Sequence, residues 1–180
     1  MPFLIAIIVI LLIVVIWYVS TMNSLRTAQV KIREAESGID VALAKRCDSL
    51  TKQLDVCRGY MKHETATFEK VIAMRSGMTM TEKAQLTAEA EQLASTIRVT
   101  AEAYPELKSS ENFRALQSAV ADAEEHLQGA RRAYNANVSA YNQKLVTFPT
   151  SMVASMIGCR PEVFFEATAI QKQDVKISFE

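Results

Sequence analysis

The stretch Ala130–Pro149, ARRAYNANVSAYNQKLVTFP, contains one pair twice: Tyr134-Asn135 and Tyr141-Asn142. An interval of seven residues is two helical turns, so both tyrosines fall on one side of a helix. The same interval picks out Phe113, Val120 and Leu127 upstream and Phe148 downstream. A second row reads Leu116, Ala123, Ala130, Asn137 and Lys144, with Val138 and Leu145 taking over its apolar role towards the end. This is a heptad seam, and a helix that carries one buries it against other helices. The doubled pair then marks two rungs of a packing stripe, not two copies of a ligand site. Asn135 and Asn142 lie at the edge of the seam. There an amide either fixes helix register inside one subunit or reaches across to the next.

The flanking signals bound this helix and predict its neighbours. Pro149 ends it and Ser110 caps its start, which places it over about 111–147. Upstream, YPELKSS (104–110) stops a second helix of about 81–103 that points Leu86, Leu93, Ile97 and Tyr104 inward. RSGMTMTE (75–82) provides a glycine stop and a Thr79–Glu82 capping box, so a hairpin is expected between this helix and the one before it. That first helix shows apolar residues at helical spacing from Leu25 through Ile32, Ile39, Leu43, Leu50 and Leu54 to Ile72, and no proline interrupts them. Gly38 and Gly59, both inside the pattern, stand three heptads apart, as a close-packing face or as coincidence. The expected architecture is all-α: an antiparallel helical bundle over 21–158 with helices at about 22–75, 81–103 and 111–147, a short helix near 150–158, and a tail over 159–180.

The bundle's first helix is preceded by MPFLIAIIVILLIVVIWYV (1–19), which carries no side-chain charge and closes on the aromatic pair Trp17-Tyr18. At about 1.5 Å per residue it reaches across the roughly 30 Å of a bilayer's hydrocarbon. The positive start and small-residue cleavage pattern of a signal peptide are missing, so residues 1–20 are expected to remain as an anchor, with Phe3, Trp17 and Tyr18 as its membrane residues. Arg26, Lys31, Arg33, Lys45 and Arg46 follow the span and nothing basic precedes it. The bundle is therefore expected on the cytoplasmic side, with the N-terminus outside.

Composition narrows the function classes. Twenty basic residues against twenty acidic ones leave no excess for a nucleic-acid surface. Cys47 and Cys57 are ten residues apart on one helix and cannot bridge, so buried thiols are expected, with Cys159 alone. His63 beside Glu64 reads as the polar side of a long helix, and His126 does not share a face with Glu124 or Glu125. Metal-protease, redox, phosphate-loop and serine-nucleophile motifs do not occur. No catalytic residue, metal or cofactor is expected. Arg131-Arg132 reads as a solvated pair or an inter-helix salt bridge before it reads as a site for phosphate or an acidic partner.

Several motifs in order resemble the LemA family of membrane-anchored helical proteins. They are Ile39-Asp40-Val41 with the basic pair Lys45-Arg46, Asp48, Gly59-Tyr60 and Lys62-His63-Glu64, then Tyr104-Pro105-Glu106-Leu107 and Glu111-Asn112-Phe113. Arg131-Arg132, the two Tyr-Asn pairs, Phe148-Pro149 and the Phe164–Ala167 segment complete the series. The resemblance covers nearly everything after the span. It implies a cytoplasmic antiparallel bundle behind one helix in a bacterial inner membrane, in a family whose biochemical role is poorly defined and one branch of which is associated with shaping intracellular bacterial membranes. Where the family usually has Tyr, then Pro and Asn, this chain has Cys47, Thr51 and Lys52, so a kink made by that Pro-Asn pair is not expected.

From residues and resemblance together, the expectation is a self-associating scaffold that contacts the lipid bilayer and organises or remodels it, with no nucleic-acid partner. The alternative is an adaptor that presents Arg131 and Arg132 to another membrane protein. The apolar segment FPTSMVASMIGCRPEVFF (148–165) requires cover, either on the bundle's own core or between subunits. Helix lengths place it at the end of the bundle away from the membrane.

Overall fold

The computed structural model describes residues 2–58 and 77–165. All regular structure among them is helical: α1 (Pro2–Cys57), α2 (Met80–Ala103), α3 (Pro105–Ser109), α4 (Glu111–Val146) and α5 (Thr150–Met156). Gly59, Tyr60, His63 and the expected continuation of the first helix to residue 75 lie outside the described residues, as does the tail beyond Phe165. The described residues fall into two compact units, one formed by Met1–Glu36 with Ala133–Phe164, the other by Ser37–Arg132 with Phe165–Glu180.

The start of α1 is apolar all round and exposed throughout, Phe3 and Trp17 included, with Tyr18 partly covered. It is long and apolar enough to cross a membrane, with a mean hydropathy of 3.2 over its best window and none of that window buried. No break separates it from the amphipathic part. Past Tyr18 the helix buries Leu25, Ile32, Ile39, Leu43, Leu50, Leu54 and Cys57. Thr51 donates its hydroxyl to the Cys47 carbonyl at 2.8 Å and Lys52 pairs with Asp48 at 2.7 Å, so the helix continues regularly where the family's proline would stand.

In the first unit α4 runs antiparallel to α1. Asn137 meets Lys31, Tyr141 meets Gln29 and Lys144 meets Ser24, so seven residues along one helix (137 to 144) match seven back along the other (31 to 24). The chain leaving α4 is therefore carried towards the apolar end of α1. This corrects the arithmetic that placed the 148–165 segment at the end away from the membrane. In the second unit α2 runs parallel to α1, because Asp40 pairs with Lys83 and, further along, Arg46 bonds the Thr87 carbonyl. A simple hairpin from a single straight first helix would have made them antiparallel. Instead α1 ends at Cys57, Arg58 is in a turn, and the connecting residues lie outside the description.

The local signals act as their chemistry requires. Gly77, at φ 84°, adopts the left-handed conformation that a side chain disfavours. Thr79 and Glu82 form the reciprocal capping box: the Glu82 N–H donates to the threonine hydroxyl at 3.3 Å, and the Thr79 N–H donates to the Glu82 carboxylate at 2.7 Å. Pro105 opens α3, whose Leu107 joins Leu50, Leu54, Cys57, Ala90, Leu93, Ile97, Ala101 and Phe113 in the second unit's core. Along the seam Phe113, Leu127, Tyr134 and Tyr141 are buried and Val120 is partly so. Phe148, counted as its last rung, is 76% exposed, because α4 ends at Val146 before the stripe returns. Tyr104, expected inward, is exposed beside Pro105 at the helix stop. A β-carbon on Gly38 would meet nothing within 4 Å, which removes the close-packing reading at that position.

Candidate functional site

One residue of each Tyr-Asn pair, Tyr134 of the first and Asn142 of the second, forms a clamp on the chain's own tail. Asn142 faces the backbone of Glu162 with both atoms of its amide: Nδ2 donates to the Glu162 carbonyl, and the Glu162 N–H donates to Oδ1, each at 2.9 Å. A primary amide presents a donor and an acceptor side by side, as an edge of backbone does, so it pairs with an extended residue as a neighbouring strand would. Eight residues earlier, the Tyr134 hydroxyl donates to the Val163 carbonyl at 2.9 Å. Tyr141 is fully buried and accepts from Gln29 Nε2 at 2.9 Å, which ties α4 to α1. Asn137 donates to the Lys31 carbonyl at 3.2 Å. The seam therefore packs α4 on α1, and its polar edge grips residues 162 and 163.

The environment keeps both phenols protonated. Burial pushes Tyr134 up to about 12, helped by the carboxylates of Glu36 and Glu162. Burial likewise raises Tyr141 to about 12, and the Cys159 thiol adds to the rise while Gln29 opposes it. A protonated Tyr134 is what the Val163 carbonyl requires, since a phenolate has no hydrogen to donate.

The second unit holds charge inside its helix contacts. Arg46 is 3% exposed; its Nη2 meets Glu124 Oε2 at 2.8 Å and its Nη1 donates to the Thr87 carbonyl at 3.3 Å. Lys83, also 3% exposed, meets Asp40 Oδ1 at 2.6 Å. Gln53, Ser49 and Thr87 are buried nearby in sequence on the same two helices. Arg46 and Gln53 continue, at seven-residue spacing, the row Leu25, Ile32, Ile39, so polar groups occupy positions that a seam normally fills with aliphatic side chains. Such groups restrict the registers in which helices can meet, because any other register leaves a buried charge unpaired.

Arg131 lies with its guanidinium carbon 4.8 Å from the centre of the Phe165 ring. Burial lowers its pKa, Glu124 opposes that, and Arg46 and Glu91 act in smaller measure. Arg131 is thus turned to its own chain, and Arg132 is the exposed member of the pair. A groove of about 490 Å³ nearby is lined by residues that include Gln53, Arg98, Gln117, Glu124 and Gln128. His126 is exposed beside a second, shallower recess with Gly38 and Lys45. Among the described residues no three His, Cys, Asp or Glu side chains converge as metal ligands would.

The motif residues named from sequence thus have separate positions. Tyr134, Tyr141 and Asn142 act together on α1 and the tail; Asp40 and Arg46 each form an ion pair. Asp48 pairs only with Lys52 on the surface, Asn112 is exposed, and Phe113 is core. Asn135 is partly buried, and Phe148-Pro149 forms the exposed corner that leads into α5. Sequence reasoning missed Lys83, Thr87 and Glu124. Lys83 carried a usable signal, a lysine on the same heptad row as Ala90 and Ile97.

Comparison with known proteins accords with this arrangement. The family model described as the LemA family matches residues 35–179. Protein LemA of Metamycoplasma hominis is 28% identical over 166 residues, an alignment that covers 89% of this chain and 76% of the relative. The match contains both buried-cation ion pairs, Tyr134 and Asn142 and the two tail residues they hold, and this chain belongs to the LemA family.

Proposed function

We propose that this protein is a membrane-anchored helical scaffold that self-associates and organises the membrane it is attached to. The observation that carries the reading is the continuity of α1. A helix able to span a bilayer passes without a linker into the bundle, so force or spacing set by one is transmitted to the other. The polar groups of the site support the same reading. They are spent on holding α1, α2, α4 and the tail in register rather than converging on an open reaction chamber, and catalysis is not part of this assignment. The basic residues after the apolar stretch, Arg26, Lys31 and Arg33, support a bundle on the cytoplasmic side, and membership of the LemA family supports a bacterial inner membrane.

Size measurement of the detergent-solubilised full chain tests the proposal. A concentration-dependent oligomer is expected, and a strict monomer at high concentration sinks it. The second reading, an adaptor for another membrane protein, draws on the groove beside Arg98 and Glu124 rather than on Arg131. Crosslinking in cells separates the two: self-adducts favour the scaffold, and one dominant foreign adduct favours the adaptor.

A further inference from the structure

The segment between Lys144 and Arg160 contains no charged residue, and it is not simply core. Val153 and Ala154 are buried, whereas Val146, Phe148, Met152 and Met156 are each more than half exposed. Met152 and Met156 lie one turn apart on one face of α5, and Phe148 stands exposed in the corner just before it. Large apolar side chains clustered on one exposed face mark a surface that something covers.

Its position identifies the cover. Lys144 bonds Ser24 at 2.9 Å, and Trp17-Tyr18 lie six to seven residues back along α1 from that point. At 1.5 Å per residue this is roughly 10 Å, and the antiparallel course of α4 takes Phe148 about 6 Å in the same direction. Phe148, at the leading end of this exposed apolar surface, therefore stands within about 5 Å of the level of the aromatic pair at the end of the span. Lys144 and Arg160 bracket it, in the pattern of an interfacial segment whose apolar face enters lipid while cations meet headgroups.

We propose that residues 146–156 form a foot that rests in the headgroup region of the leaflet from which α1 emerges. The chain then holds the bilayer at two places, the span and the foot, which fixes the tilt of α1 against the membrane. This rests on the reading that residues 1–20 span the bilayer, and the test separates the two.

Full-length protein with Trp17→Phe, carrying Phe148→Trp or Met156→Trp as its only tryptophan, is reconstituted into phosphatidylethanolamine–phosphatidylglycerol vesicles with lipids brominated near the headgroup. Val30→Trp in the same background is the aqueous comparator, since Val30 lies about 18 Å beyond Tyr18 along α1. Tryptophan at 148 and 156 is expected to show quenching within about twofold of that of native Trp17, and at least about fivefold that of the comparator. Quenching of Trp17 with none at 148 or 156 overturns the foot alone. Shielding at 148 and 156 that appears only as protein-to-lipid ratio rises also overturns it, and assigns the face to a second copy of the chain. An unquenched native Trp17 overturns the span and the foot together.

Discussion

Replacing Asn142 with alanine tests the clamp directly. The amide makes two hydrogen bonds to Glu162, and Tyr134 makes a third to Val163. Each contributes about 1 kcal/mol net, since the groups regain water when the tail lifts. The substitution therefore removes about two of roughly 3 kcal/mol that hold these residues, which raises the population of the lifted tail about thirtyfold. Chymotrypsin reads that population, because cleavage at Phe164 needs the segment free and its rate follows the open fraction when closing is fast. Detergent-solubilised Asn142→Ala protein should be nicked about thirtyfold faster than the parent, and Tyr134→Phe about fivefold faster, at an unchanged helix content by circular dichroism. Asn142→Asp keeps the acceptor for the Glu162 N–H but sets a carboxylate oxygen against the Glu162 carbonyl, so its rate should approach that of Asn142→Ala. Cleavage of Asn142→Ala at the parental rate would refute the clamp. If the amide instead joined subunits, the substitution would change the size of the particle and leave the nicking rate alone.

The two buried cations make a paired prediction. In both ion pairs the acid is the more exposed partner, with side chains 31% exposed for Glu124 and 44% for Asp40. Removing the acid strands a buried cation and should cost about 3 kcal/mol, whereas replacing the cation by Met lets the acid rehydrate and should cost about 1 kcal/mol or less. Denaturant unfolding should thus rank Glu124→Ala below Arg46→Met, and Asp40→Ala below Lys83→Met; the reverse order in both pairs refutes the assignment. Arg46→Met combined with Glu124→Leu should recover most of the loss of Glu124→Ala in the same assay, since it leaves no charge to bury. Stability should fall as pH rises past 9, the ordinary value of the thiols that burial pushes up at Cys47 and Cys57, and further between 10, the ordinary value for tyrosine, and about 12. In that window unfolded chains release the phenolic protons that Tyr134 and Tyr141 retain when folded, so the unfolded state binds fewer protons and gains on the native one. Thermal melts across that range check it, with Tyr134→Phe flattening part of the decline.

Phe113, Leu127, Tyr134 and Tyr141 were legible as one stripe because helical periodicity is local: residues seven apart share a face whatever lies opposite. The Thr79–Glu82 box and the Gly77 stop were legible for the same reason, since every partner lies within a few residues. The apolar span could be recognised from composition alone. What those residues face could not be inferred in this way. Asn142 stands twenty residues from Glu162 and Gln29 more than a hundred from Tyr141, and no local rule pairs them. Arg46 was read only as a member of a basic pair and Lys83 was missed, because a cation at a seam position looks like an error until its acid is found on another helix. The direction of α2, the turning of Arg131 towards Phe165 and the course of α4 towards the apolar end of α1 all depend on which helices meet. Sequence alone therefore determined the helices and the faces they must bury; tertiary structure decided the partners of those faces, because desolvated amides and charges select one register among several that apolar stripes allow equally.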